Sequence, residues 1–192
     1  MRFPKFCLVT TCCILLGTTG LAFGEDSDDG FTLFSTSQIY AQFRPRFEYA
    51  NVDGGADAAK AFTTRTVLGA EFGKLVGMKE LTGHLEATNV SHFGILDDYA
   101  PQQSGYDVIA DPRQTRMSQA HITYVTGGTA FIAGRKMHTF DNQRFIGHVG
   151  WRQMPQTYDM IAVNNTSIKG LSVTGAYVTR VNRILADAKL DT

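Results

Sequence analysis

Between residues 37 and 50 the chain alternates strictly. Ile39, Ala41, Phe43, Pro45, Phe47 and Tyr49 fall on one parity, and Gln38, Tyr40, Gln42, Arg44, Arg46 and Glu48 on the other. Successive side chains of a strand point to opposite faces, so this stretch predicts a strand with one apolar and one charged face. Its length exceeds the roughly five or six residues usual in soluble strands. The period returns in 62–72, where Phe62, Leu68, Ala70 and Phe72 oppose Arg65 and Glu71. It returns in 81–90, where Leu81, Gly83, Leu85 and Ala87 oppose Thr82, His84, Glu86 and Thr88. In 118–125, Ala120, Ile122 and Tyr124 oppose Gln119, His121 and Thr123. Segments 129–136, 157–164 and 170–181 bring the predicted strands to seven.

The links between these strands alternate in length as well. Short joins at 73–80, 126–128 and 165–169 are interleaved with long ones at 51–61, 91–117 and 137–156. Short turns at one end and long loops at the other are the signature of an outer-membrane barrel, whose strands need about 9 to 11 residues at their tilt. No apolar run of about 18 residues follows the first 24, so helical spans are excluded and a closed barrel is the remaining way through a bilayer. The expected fold is all-β: an antiparallel transmembrane β-barrel, of which residues 37–184 form an incomplete N-terminal part of seven strands. Tyr40, Phe47, Tyr49, Tyr124 and Tyr158 suit the aromatic belts of such a wall, with core packing as the competing use. A secreted, soluble, carbohydrate-binding β-sandwich also explains the alternation, and it predicts no outward aromatic belt.

The chain ends add context. Residues 1–24 read as a cleavable export signal: Arg2 and Lys5 precede a short apolar run at 6–16, and Ala22-Phe23-Gly24 forms the cleavage site. The acidic stretch 25–36 is a polar lead-in whose Asp26, Asp28 and Asp29 miss the EF-hand spacing. Residues 185–192 lack the final aromatic residue of a last barrel strand, so a truncated end is expected there, with further strands needed to close the wall. The only cysteines, Cys7, Cys12 and Cys13, lie inside the signal, which leaves no disulfide, zinc site or thiol nucleophile downstream.

Without Arg2 and Lys5, 16 basic residues face 18 acidic ones. That balance gives no global basic footprint for nucleic acid. His84, His92, His121, His138 and His148 show no metal-ligand spacing, and neither a G-x-S-x-G elbow nor a phosphate loop is present. Asp97-Asp98 reads as a solvated turn rather than a glycosidase pair. No enzyme activity and no cofactor are expected.

One long link has a more specific sequence. Residues 134–159 read GRKMHTFDNQRFIGHVGWRQMPQTYD. The segment resembles the alginate-export family of outer-membrane porins in its Gly134-Arg135 strand end, its 141–147 and 150–153 runs, and the Gln156-Thr157-Tyr158-Asp159 opening of the next strand. Residues 44–49, 64–69, 110–112 and 119–120 resemble the family's early strands, so the likeness spans roughly 38–184. It implies a barrel of about eighteen strands with an arginine-rich lumen that passes anionic or polar solutes, including sugar polymers, across the outer-membrane lipid.

The residues themselves offer matching chemistry. Arg44, Arg46 and Arg65 share the polar parity of adjacent strands, where permanently charged guanidinium groups would pair with carboxylates and focus the field. Glu48 and Glu71 on that face would offset part of the charge. The 137–156 loop is expected to fold inward and narrow the pore, with Arg144 or Arg152 facing solute and Asp141 holding an arginine. The other reading is a loop packed on itself by Phe145, Trp151 and Arg–Asp pairs. Arg135 and Lys136 fall on opposite parities, and either of the two could reach the lumen.

Overall fold

The computed structural model describes residues 7–11, 14–19, 36–52, 56–140 and 143–185. Two short strands come first, β1 (Cys7–Thr11) and β2 (Ile14–Thr19). Then follow β3 (Thr36–Ala50), β4 (Ala59–Gly73), β5 (Leu81–Asp98), β6 (Gln114–Thr126), β7 (Thr129–Lys136), β8 (Thr157–Asn165) and β9 (Val173–Asn182). The seven alternating stretches are therefore seven strands, and they pair in chain order as an antiparallel meander. No α-helix occurs among the described residues. One 3-10 turn, Leu75–Gly77, joins β4 to β5. The protein is all-β, and its sheet is open: no described strand pairs with the far edge of β9. The described part of the predicted export signal lies along the other edge, with β1 and β2 pairing antiparallel to β3 from Cys7↔Ala50 to Thr19↔Ile39. The acidic lead-in up to residue 35 and residues 186–192 lie outside the described residues.

Cross-strand partners share a face, and the register sorts the two faces as the alternation predicts. Arg44 faces Arg65, Arg46 faces Thr63, and Tyr40 faces Gly69, which faces Glu86 and then Gln119. On the other side Ala41, Leu68 and Ala87 align, as do Ile122, Ala133, Ile161 and Tyr177. The burial runs opposite to that of a soluble sheet. Arg46 and Glu48 are 2% and 3% exposed, while Leu68 and Ile161 are 60% and 61% exposed. At the loop end the polar face is buried because the protein's own loops fold over it, while Gln38, Glu71 and Thr82 at the turn end stay exposed. The apolar face meets no second sheet among the described residues.

The long links are shorter than their sequence suggests. β5 runs on to Asp98, so residues 91–98, Asp97-Asp98 included, are strand rather than loop. Four residues, 93–96, bulge out between the His92↔Thr63 and Asp97↔Ala61 pairs. Gly94 and Leu96 take positive φ there, which breaks the alternation that would have revealed the strand. β4 likewise begins at Ala59, and β6 at Gln114. The remaining connections, 51–58, 99–113 and 137–156, all leave from one end of the sheet, and the short turns sit at the other. Under the 99–113 connection Tyr99 and Ile109 pack against Ala50, Ala59 and Ala61.

One glycine is required by close packing. The Tyr40 ring lies across β4 where a Cβ on Gly69 would overlap it. That position lets the Tyr40 hydroxyl donate to Glu86 Oε2 at 2.7 Å and bond His84 Nε2 at 2.8 Å. Gly69→Ala is expected to cost about 1–3 kcal/mol by overpacking. In a double-mutant cycle read by urea unfolding, adding Gly69→Ala to a Tyr40→Ala chain should cost nothing further, and an additive result would remove this explanation of Gly69.

Candidate functional site

The buried polar face is built from two strands and two loops. Alternation puts Arg44, Arg46 and Glu48 on one side of β3, and β4 adds Thr63 and Arg65 beside them. The 137–156 loop then lies over this row. Arg44 Nε donates to Gln153 Oε1 at 3.0 Å, Arg44 Nη1 to the Gly150 carbonyl at 3.0 Å, and Arg44 Nη2 to the Arg152 carbonyl. Arg46 Nη1 donates to the Trp151 carbonyl at 2.8 Å. Three consecutive loop carbonyls thus replace the water that a buried guanidinium would otherwise need.

Carboxylates complete the cluster. Arg46 pairs with Glu48 at 2.5 Å and lies 3.4 Å from Asp111. Arg152 Nη1 reaches back from the loop to Glu48 at 3.0 Å and Asp111 at 3.6 Å. Asp111, fully buried, comes from the 99–113 connection, and its Oδ1 accepts from the Gln153 backbone N–H at 2.8 Å. Gln153, also fully buried, donates its Nε2 to Thr63 Oγ1 at 2.9 Å. The Arg152 guanidinium stacks on the Trp151 ring, 4.3 Å from its centroid. The Asp111 carbonyl accepts from the Tyr99 hydroxyl at 2.9 Å, and burial, with the Asp111 and Asp97 carboxylates nearby, pushes the Tyr99 phenol well above its usual range.

The expected site residues divide accordingly. Arg44, Arg46 and Arg152 come together, and Arg65 is the direct cross-strand partner of Arg44. Arg152 is turned into the cluster rather than outward. Arg144 stays exposed, 5.7 Å from the Phe145 ring centroid. Asp141 lies outside the described residues; the acids that hold Arg46 and Arg152 are Asp111 and Glu48. Arg135 belongs to the opposite side of the sheet. It pairs with its cross-strand neighbour Asp159 at 2.6 Å, in a row running back through Ala120 and Leu85.

Lys136 is the basic residue of that pair on the polar side. It lines a cavity of about 440 Å3 with Gln38, Glu71, His84 and His121 at the short-turn end of the sheet. The His84 and His121 rings stand 5.2 Å apart there. Beside them Glu86 accepts from Ser118 Oγ at 2.6 Å and Gln119 Nε2 at 3.3 Å. Tyr40 and Tyr158 also face this side, Tyr158 donating to the Gly147 carbonyl at 3.0 Å, so neither serves an outward aromatic belt. In the loop, burial and the nearby Lys136 charge hold His138 below the usual imidazole range. No group of three metal-ligating side chains occurs among the described residues. The chain matches no family model, no curated protein and no solved structure.

Asp111→Ala leaves Arg46 and Arg152 sharing Glu48 in a dry site. Breaking a buried ion pair from one side costs about 3–5 kcal/mol. Limited trypsin digestion should cut the native chain after exposed Arg144 and spare Arg152, whereas Asp111→Ala should be cut at both. Protection of Arg152 in the variant would show that the loop is held by other contacts.

Proposed function

We propose that this chain forms part of the wall of an outer-membrane β-barrel, a porin-like channel of the alginate-export type that passes polar or anionic solutes. The observation that carries the reading is the inverted polarity of the sheet. Its buried side is lined by Arg, Glu, Gln, Thr and His, and its open side by Leu, Ile, Phe and Tyr. Soluble monomers rarely expose contiguous apolar surface on this scale, whereas a barrel wall presents such a surface to lipid. A single sheet with no second sheet on its apolar side among the described residues also favours this reading over a two-sheet sandwich. The segregation of three long loops to one end agrees with it.

In this reading the polar face borders the aqueous channel and the 137–156 loop narrows it. Arg44, Arg46 and Arg152 position that loop, and Arg144 is the member of the expected set turned towards solute. An exposed guanidinium there would favour carboxylated or other anionic solutes. In a closed wall the far edge of β9 would be paired, because open backbone groups in hydrocarbon cost several kcal/mol each.

Single cysteines read the two faces directly, in a chain whose Cys7, Cys12 and Cys13 are replaced by Ser. A polarity-sensitive fluorophore at Leu68→Cys, Ile122→Cys or Ile161→Cys should report a hydrocarbon environment in reconstituted membranes. The same label at Thr123→Cys should report water. Membrane fractions should release the protein only with detergent. Recovery as a soluble periplasmic protein, or water at all four labels, would overturn the membrane reading. In planar bilayers Arg44→Ala should loosen the loop and raise conductance, and Arg144→Ala should weaken anion preference; unchanged values in both would remove the constriction.

A further inference from the structure

Away from the arginine cluster, the loop end of the sheet carries a notch. The last residue of β6 paired to β7 is Ala120, so residues 114–119 have no strand on that flank. Residues just after β9 come across to meet them. Gln114 Nε2 donates to the Ile184 carbonyl at 2.6 Å, and Arg116 Nη1 to the Arg183 carbonyl at 2.7 Å. The opening has a volume of about 780 Å3 and is lined by Arg113, Arg116, Arg135, Arg180 and Arg183, with no acidic side chain in its lining.

These five guanidinium groups are of two kinds. Arg135 is held by Asp159, and Arg116 by the carbonyls of Pro155, Asn182 and Arg183. They form a fixed wall. The side chains of Arg113, Arg180 and Arg183 make no hydrogen bond or ion pair among the described residues, so their donors are open to a ligand, Arg180 standing beside the charge of its cross-strand partner Asp159. The register also gives the side of Arg135 and Arg180. Ile39, Ala70, Leu85, Ala120, Arg135, Asp159 and Arg180 form one continuous cross-strand row. The row is apolar over its first four strands and turns ionic over the last three. Arg135 and Arg180 therefore lie on the face opposite Arg44, Arg46 and Arg152, none of which lines the notch, whereas Arg116, the partner of Thr88, reaches it from the polar face.

We propose that the notch is a binding site for a phosphate-bearing polyanion, engaged by Arg113, Arg180 and Arg183 against the wall of Arg116 and Arg135. Guanidinium forks match phosphate oxygens bidentately. Several converging forks suit a multiply charged group, since one carboxylate would leave most of their donors unmet. The phosphate can belong to a lipid headgroup or be free in solution. That the notch opens towards lipid rests on the membrane reading above; the anion site does not.

The test uses the full chain in zwitterionic detergent, titrated with inorganic pyrophosphate by calorimetry at low salt. The native chain should bind, and Arg113→Ala/Arg183→Ala should weaken binding by about tenfold or more, as expected for lost charge-assisted contacts. Lys79→Ala, at the opposite end of the sheet, should leave binding unchanged. A second arm compares thermal unfolding in vesicles of phosphatidylcholine alone and of phosphatidylcholine with an equal part of phosphatidic acid. Stabilisation by phosphatidic acid in the native chain but not in the double variant assigns the phosphate to a lipid headgroup. Pyrophosphate binding without that stabilisation assigns it to a free anion. A chain that fractionates as soluble but binds pyrophosphate through these arginines keeps the site and removes the membrane reading. No pyrophosphate binding, or equal binding by the double variant, overturns the proposal.

Discussion

Asp111 and Glu48 hold two arginines from opposite directions. Arg46 reaches them from the sheet, and Arg152 from a loop more than a hundred residues further along the chain. Removing such groups from water costs several kcal/mol per ion unless partners replace the lost hydration. Here the replacement is shared between the carboxylates and the carbonyls of Gly150, Trp151 and Arg152. Charge and backbone are thereby solved together, since the loop carbonyls that need donors are those the strand arginines need as acceptors. Neither the loop path nor the burial of Arg46 would persist without the other.

The remaining packing follows from that constraint. A sheet whose occupied face is charged cannot be filled by an apolar core, and the two apolar clusters among the described residues are accordingly small. One lies under the 99–113 connection around Tyr99 and Ile109. The other sets Tyr158, Met160 and Ala162 against Ile132 and Ile146, and so seats the near half of the 137–156 loop on β7 and β8. Between them the filling is polar, and it is satisfied in detail at Gln153, which bonds Thr63, Arg44 and Asp111 at once. Buried polar groups are tolerated only when so partnered.

Much of this was legible in the residues because strand alternation is a local property. β7 occupies the span that its pattern predicts, and the assignment of Arg44, Arg46 and Glu48 to one face needed only their parity. Position in the third dimension is not local, and there the sequence falls silent. Asp111 offers no signal beyond its place between Ala110 and Pro112, because its partners at 46 and 152 arrive through separate connections. The choice between Arg135 and Lys136 turned on the His121↔Gly134 pairing. Register is set between strands and cannot be read from one of them. The 93–96 bulge hid the end of β5 for the reverse reason, since an irregular backbone erases the period that marks a strand.

Arginine number and cationic field are therefore separate quantities in this fold. At the loop end of the polar face the guanidinium groups of Arg44, Arg46 and Arg152 are committed to carbonyls and carboxylates, so their charge fixes structure before it can attract a solute. At the turn end the same face mixes Lys136 with Glu71, His84 and His121. In the proposed channel a solute would meet the loop first, through Arg144 and Phe145, and this mixed cavity afterwards. Anion preference would then be set by the few basic side chains that stay exposed along this path, Arg144 first among them. The density of arginine along β3 and β4 would instead set the rigidity of the constriction. A preformed constriction keeps its charges in place without reorganising around each passing solute, so a buried arginine network can shape selectivity without touching what passes.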